Sequence, residues 1–340
     1  MRLFRKRVFF IGAGVIVAFL VLVSFWFTYL VYFYQSGKEK EVYIPKGTGL
    51  KSIAHILRES GVIKDERLFI AYVFLRGKHG GLRAGEYRFL ATDSMAKVVE
   101  KLVRGEVIIR KVTIPEGLTM YEIGELLEKK GVLSGKEFVT KARDKELIEN
   151  LLGDPSIDSL EGYLFPDTYF YTKGITPEEF IRMMVSRFKQ VYTSLKSSSK
   201  AVELGDREIV VLASIIEKET AIDSERPLIS AVFYNRLRRG MKLQSDPTVI
   251  YALGDRFDGN LKKEHLQIKN SYNTYVVSGL PPGPIANPGK ESLKAALNPA
   301  DVDYLYFVAD GNGTHHFSSN YKDHLKAVNR YQKQPSQAVD

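Results

Sequence analysis

The sequence predicts an α+β protein carried on one N-terminal membrane-spanning helix. Three features predict it. Residues 8–33 form an uncharged apolar run, short strand patterns alternate with helical stripes from about residue 41 onward, and one strand–turn–helix pattern occurs twice.

The run Val8–Phe33 is about 26 residues long, enough to cross a ~30 Å hydrocarbon core with some tilt. A cleavable signal peptide has an apolar region of about 7–15 residues that ends in small side chains. Here the far end carries Phe25, Trp26, Phe27, Tyr29, Tyr32, Phe33 and Tyr34, rings suited to a membrane–water interface. Arg2, Arg5, Lys6 and Arg7 precede the run, while Lys38 and Lys40 beyond it alternate with Glu39 and Glu41. Positive charge stays inside, so residues 1–7 read as a cytoplasmic tail, 8–33 as the single span of a plasma-membrane protein and the rest as an extracytoplasmic body; with no cysteine in that body, a bacterial cell envelope fits.

That body of roughly 300 residues can hold two or three cores. With no cysteine, disulfides and thiol chemistry are excluded. The net charge of +9 includes the N-terminal cluster, and the other cations are interspersed with glutamates, as in Lys38–Glu41 and Glu125–Lys130. This is a solvated surface, not a nucleic-acid patch.

Val42-Tyr43-Ile44-Pro45-Lys46-Gly47 is echoed by Val112-Thr113-Ile114-Pro115-Glu116-Gly117. At the same offset Ile53 matches Ile123, Leu57 matches Leu127, Gly61 matches Gly131 and Val62 matches Val132. Each copy predicts a strand, a Pro–Gly turn and a helix stopped by glycine; Leu50, Ile53, Ile56 and Leu57 form one apolar stripe, Met120, Ile123, Leu126 and Leu127 the other. Between the copies Gly85–Phe89 reads as a strand, and Ser94–Arg104 as a helix capped by Asp93 or Ser94 and ended by Gly105. Residues 41–110 thus form a small α/β module resembling LysM; glycan binding and a positioning stalk are both open for it. A second repeat and connecting region follows over 111–185, then a mixed α+β domain over 186–330 and a polar tail over 331–340.

In the later part, Asp144–Ser159 starts helical and becomes irregular, and Glu161–Tyr169 reads as a shaped loop. Helices are expected over Pro177–Leu195 and Asp206–Glu219, a turn-rich loop over Gly279–Pro288 and a strand over Tyr304–Val308. Glu217 and Glu219 end the second helix about 160° apart, so they cannot serve one atom together. The apolar positions place Glu219 roughly 50° and Glu217 roughly 110° from the buried direction. A half-buried Glu219 would have a raised pKa and could hold a proton for a glycosidic oxygen; two frayed surface glutamates are the plain alternative. Downstream, Arg226, Tyr234, Asn235, Arg236, Leu243–Tyr251, Ser271–Tyr275 and Gly279–Gly289 bring amides, acids and rings that, set in loops, suit a sugar groove.

These segments closely resemble the YceG-like family of endolytic murein transglycosylases. The resemblance runs from the anchor to about Asn329. It rests on Glu161–Tyr169 (EGYLFPDTY), Ala213–Thr220 (ASIIEKET), Leu243–Tyr251 (LQSDPTVIY), Tyr272–Tyr275 (YNTY), Gly279–Gly283 (GLPPG) and Tyr304–Gly311 (YLYFVADG). It implies that Glu219 is the catalytic residue, at the end of its helix in a YceG-like domain. The implied reaction cleaves the β-1,4 bond between MurNAc and GlcNAc within nascent strands, leaving 1,6-anhydro ends and terminating elongation. Glu217, Gln244, Asp246, Tyr251, Tyr272, Asn273, Tyr163 and Asp167 are the candidates for holding substrate or supporting Glu219, although Asp246 could equally cap a helix starting at Pro247. No cofactor or metal is expected. The implied partners are glycan strands and the membrane, with peptidoglycan synthases and division or elongation proteins as candidates.

Three other readings are weaker. Ser197–Lys200 and Ser271–Asn273 fit fragments of a penicillin-binding serine site, yet Ser94–Lys97 repeats the first fragment and no Lys-Thr-Gly follows. The six histidines show no zinc spacing, and His315-His316 reads as part of a Gly-rich strand-edge loop. A non-catalytic glycan-binding scaffold is the third.

Overall fold

The computed structural model describes residues 2–199 and 203–333. Residue 1, Lys200 of the Ser-x-x-Lys pattern and residues 334–340 of the polar tail lie outside the described residues. Helix α1 (Arg2–Tyr32) contains, over Ile11–Tyr32, the one stretch among the described residues long and apolar enough to cross a membrane. The chain then forms two compact units, one from the residues up to Lys111 with Phe170–Ile175, the other from Val112–Tyr169 with the chain from Thr176 on.

In the first unit β1 (Lys40–Ile44) pairs antiparallel with β2 (Gly85–Phe89), Val42 facing Tyr87. Strand alternation turns Val42, Ile44, Tyr87 and Phe89 inward. They bury Ile53 and Leu57 of α2 (Leu50–Glu59), Phe69 and Val73 of α3 (Glu66–Leu75), and Val98 and Leu102 of α4 (Met95–Arg104). Ser94 caps α4, and Gly105 ends it in the left-handed conformation, as the sequence predicts. The sequence reading lacks α3, whose residues are apolar almost all round and show no stripe.

The second copy of the repeat, most of it in the second unit, comprises β3 (Arg110–Thr113), α5 (Met120–Lys129), α6 (Gly135–Ala142), α7 (Lys145–Leu152) and β4 (Thr168–Tyr171), which pairs with β3. The two copies match closely. Gly47 and Gly117 turn at φ 79° and 76°, and Gly61 and Gly131 follow α2 and α5 at φ 70° and 66°. Both copies run on through further helix to a closing strand.

Helix α8 (Pro177–Ser197) runs unbroken through residues 185 and 186. Next comes α9 (Asp206–Glu219), in which every residue from Ile209 to Ile216 is buried. A helix apolar all round must be enclosed. Around it lie α8, α10 (Arg226–Arg238), α11 (Asp246–Leu253) and α12 (Lys290–Leu297). The chain ends with the antiparallel pair β5 (Tyr306–Ala309) and β6 (His315–Ser318), then α13 (Tyr321–Val328). The strand expected from Tyr304 begins two residues later, because Asn235 Nδ2 holds the carbonyls of Val302 and Tyr304. His315 and His316 are not loop residues as expected; they open β6 opposite Ala309 and Val308.

Candidate active site

Helix α9 carries its enclosed stripe to its C-terminus, so its last residues emerge at the edge of the core. There Glu217, Lys218 and Glu219 part in direction, as 100° per residue requires. Glu217 is paired: its side chain is 7% exposed, Gly289 N–H donates to it at 2.9 Å, and Arg226 lies at 3.5 Å. Lys218 reaches outward and donates to the Gly117 carbonyl at 3.1 Å.

Glu219 has a different setting. Its hydrogen bond comes from a neutral group, the Ser245 hydroxyl, at 2.5 Å. Burial pushes its carboxyl up to about 7; Ser245 draws it down, Asp246 raises it, and the charges of His315 and Arg236 draw it down. Ser245 stands just before α11, where a serine normally caps the helix, but it makes no side-chain cap bond there. Its own N–H is fixed by the Thr274 hydroxyl at 3.0 Å, and Thr274 meets the Thr248 hydroxyl at 2.8 Å. Gln244, immediately before it, is the one non-glycine among the described residues at positive φ, 49°. Such a backbone costs roughly 1–2 kcal/mol. It is held because Gln244 N–H bonds the Thr274 carbonyl while the Leu243 carbonyl accepts from Arg236 at 2.6 Å. The strained turn aims Ser245 at Glu219.

The remaining candidates divide. Asp246 accepts from the Tyr275 hydroxyl at 2.6 Å and acts on Glu219 by its charge. It is also the first residue of α11, with Ser245 in the capping position, so it does not cap a helix starting at Pro247 as the alternative had it. The Tyr251 ring meets that of Tyr272 at a 47° tilt with 5.0 Å between ring centres, and its hydroxyl reaches Glu161 at 3.4 Å. Five residues along α11, this ring pair stands about 8 Å further along the helix axis than Asp246. Asn273 is fully buried, its amide holding the Leu266 and Ile268 carbonyls and the Tyr275 N–H, so it shapes the loop. Tyr163 packs on Phe188 near Asp206 and Arg207, at the opposite end of α9, roughly 20 Å from Glu219. Asp167 pairs with Arg187 at 2.7 Å.

Arg226, Tyr234, Asn235 and Arg236 are not loop residues as the sequence suggested, though Arg226 does line a cleft. They lie on α10, where Tyr234 donates to the Ala296 carbonyl and Arg236 to those of Leu305 and Leu243. Sequence reading missed Ser245, which looks like an ordinary cap, and Glu225, which binds both the N–H and Nδ1 of His315 at 2.7 Å and the Thr220 hydroxyl at 3.2 Å. It also missed the part played by Glu116 and Glu161. Burial, together with the charge of Glu217, raises the Glu116 carboxyl. Glu161, 1% exposed, accepts from Met120 N–H and from Asn287 Nδ2 at 2.8 Å, while burial pushes it up to about 8. Glu116, Glu217, Glu219, Thr220 and Arg226 face a cleft of about 450 Å³, open to solvent and of ligand-binding size.

The pattern of the YceG-like family matches residues 42–330. An endolytic murein transglycosylase of Bacillus subtilis is 36% identical over 302 residues, covering 85% of this chain and 83% of the relative. One of Streptococcus pneumoniae is 31% identical over 323 residues; the match takes in 86% of this chain and 58% of that longer protein. The crystal structure of a YceG-like protein from Listeria monocytogenes aligns with 32% identity and a TM-score of 0.57, covering 85% of this chain and 99% of that one. With its mixed α+β fold and N-terminal apolar helix, the chain belongs to the YceG-like family.

Proposed function

We propose that this protein is an endolytic lytic transglycosylase that cleaves the MurNAc-β-1,4-GlcNAc bond inside peptidoglycan strands, with Glu219 as its single acid–base catalyst. The setting of Glu219 carries the reading. A carboxyl with a pKa near 7, bonded to a neutral hydroxyl and facing an open cleft, holds a proton at neutral pH and can release it. The relatives' names, endolytic murein transglycosylase, point to the same chemistry.

The steps balance without water. Glu219 passes its proton to the departing GlcNAc O4 as the bond from the muramyl anomeric carbon breaks. The muramyl 6-hydroxyl oxygen then bonds to that carbon, and its proton returns to the Glu219 carboxylate. One carboxyl does both tasks, so the paired carboxylates of hydrolytic glycosidases are not required. This fits Glu217, which is tied to Arg226 and Gly289. Tyr251 and Tyr272 offer ring faces for sugars, and Asp246 with Tyr275 supports the Ser245 turn.

Helix α1 is the proposed anchor, with the N-terminus cytoplasmic and both units outside, acting on strands as they leave membrane-bound synthases and ending their elongation. For the first unit, its two helices between antiparallel strands support a LysM-like reading. Purified protein should release glycan fragments with 1,6-anhydro ends, and Glu219→Gln should lower the rate by on the order of 10²–10⁴-fold. Equal product from both proteins overturns the assignment.

A further inference from the structure

The end of α1 is built into the first unit. Leu30 and Val31 are 4% and 0% exposed, Phe27 packs on the same core, and just beyond the helix Gln35 bridges to Ser94. One face of the end of the apolar helix therefore lies in protein, while Tyr29, Tyr32 and Phe33 stay exposed. The stretch Ile11–Tyr32 rises about 32 Å, close to the thickness of the hydrocarbon core. The protein body thus begins where the acyl chains end.

A second apolar feature lies at that level. The Tyr72 ring of α3 meets Tyr32, the last residue of α1, edge-on at 6.2 Å. Leu75, one turn further on the same helix, is 75% exposed, and Phe74 is 57% exposed with its ring stacked on His79 at 5.1 Å. The segment that follows, Arg76–Arg83, carries exposed Arg76, Lys78 and Arg83 and no carboxylate. Two exposed apolar side chains beside a membrane span, followed by a segment with cations and no carboxylate, match the chemistry of a headgroup boundary.

We propose that the first unit rests directly on the lipid surface, with Phe74 and Leu75 in the acyl–headgroup boundary and Arg76, Lys78 and Arg83 against anionic phospholipid headgroups. This rests on reading α1 as a membrane span. It gives the first unit a fixed seat on the bilayer instead of a flexible tether.

The cysteine-free chain suits single-site labelling, and Trp26 is its one tryptophan. Full-length Leu75→Cys carrying an environment-sensitive fluorophore would be placed in nanodiscs of phosphatidylcholine and phosphatidylglycerol with brominated acyl chains. A Lys51→Cys label, beyond the end of β1 far from α1, is the control. The expected result is loss of emission to bromine at both Trp26 and position 75, and none at position 51. Loss at Trp26 with position 75 quenched only by aqueous iodide overturns the proposal and leaves the span standing. No loss at Trp26 removes the span and this inference with it. Position 75 shielded from both quenchers also overturns it, since another protein surface would then cover the patch.

Discussion

The two copies of the repeat share a backbone and differ in what surrounds it. In the first, the space at Gly47 stands open: no atom lies within 4 Å of where its side chain would begin, and Thr48 bonds back to Pro45. In the second, the same turn is enclosed. Gly117 N–H bonds Asn287, the Gly117 carbonyl takes Lys218, the Leu118 carbonyl takes both nitrogens of Asn287, and Glu116 lies against Gly289. Local sequence set the turn twice; partners distant in sequence made one of them a wall of the cleft.

Asn287 offers the strongest way to break this difference. Its side chain holds Gly162 N–H, Leu164 N–H and Glu161 in buried bonds and the Leu118 carbonyl in a part-buried one. Asn287→Ala strands several of these, so a loss of about 3 kcal/mol or more is expected in urea unfolding, with activity falling as the cleft loosens. Thr48→Val in the first copy should cost under about 1 kcal/mol and leave activity intact.

The buried carboxyls sharpen it through pH. Glu219 and Glu161 have folded pKa values of about 7 and about 8, above the ordinary 4.5. The folded state therefore binds more protons than the unfolded chain from pH ~4.5 upward, and stability falls as pH rises through ~7–8. Glu219→Gln escapes its share, so its stability gain over the native protein should be a few kcal/mol larger at pH 8 than at pH 4. Equal gains at both pH values would count against a buried, proton-holding Glu219.

Two smaller effects complete the comparison. Gly47→Ala and Gly117→Ala meet the same backbone penalty of about 1–2 kcal/mol, yet only Gly117→Ala should lower kcat/KM, because its methyl group contacts Glu217 and Lys218. Ser245→Ala removes the donor that favours ionised Glu219. The alkaline limb of the kcat/KM profile should then move to higher pH by up to about one unit.

Much of this was legible in the sequence. The repeat, the strand Gly85–Phe89, the capped helix after Ser94 and the bounds of α9 follow from period, caps and glycine stops, all signals carried by near neighbours. The helical wheel also turned Glu219 inward. It placed Glu217 too far out, because Arg226 and Gly289 enclose that side chain from elsewhere in the chain. Ser245 was hidden by looking like a cap, and Glu225 and Asn287 by making their bonds to residues far away in sequence. Position 244 gave no sign of left-handed backbone, since glutamine has no preference for it.

On the proposed mechanism one carboxyl moves a proton out and back while water takes no part. Digesting glycan strands in heavy-oxygen water and weighing the new ends tests this directly. The expected product carries 1,6-anhydro ends without heavy oxygen. Reducing ends carrying the heavy isotope would contradict it, because water would then have attacked the anomeric carbon.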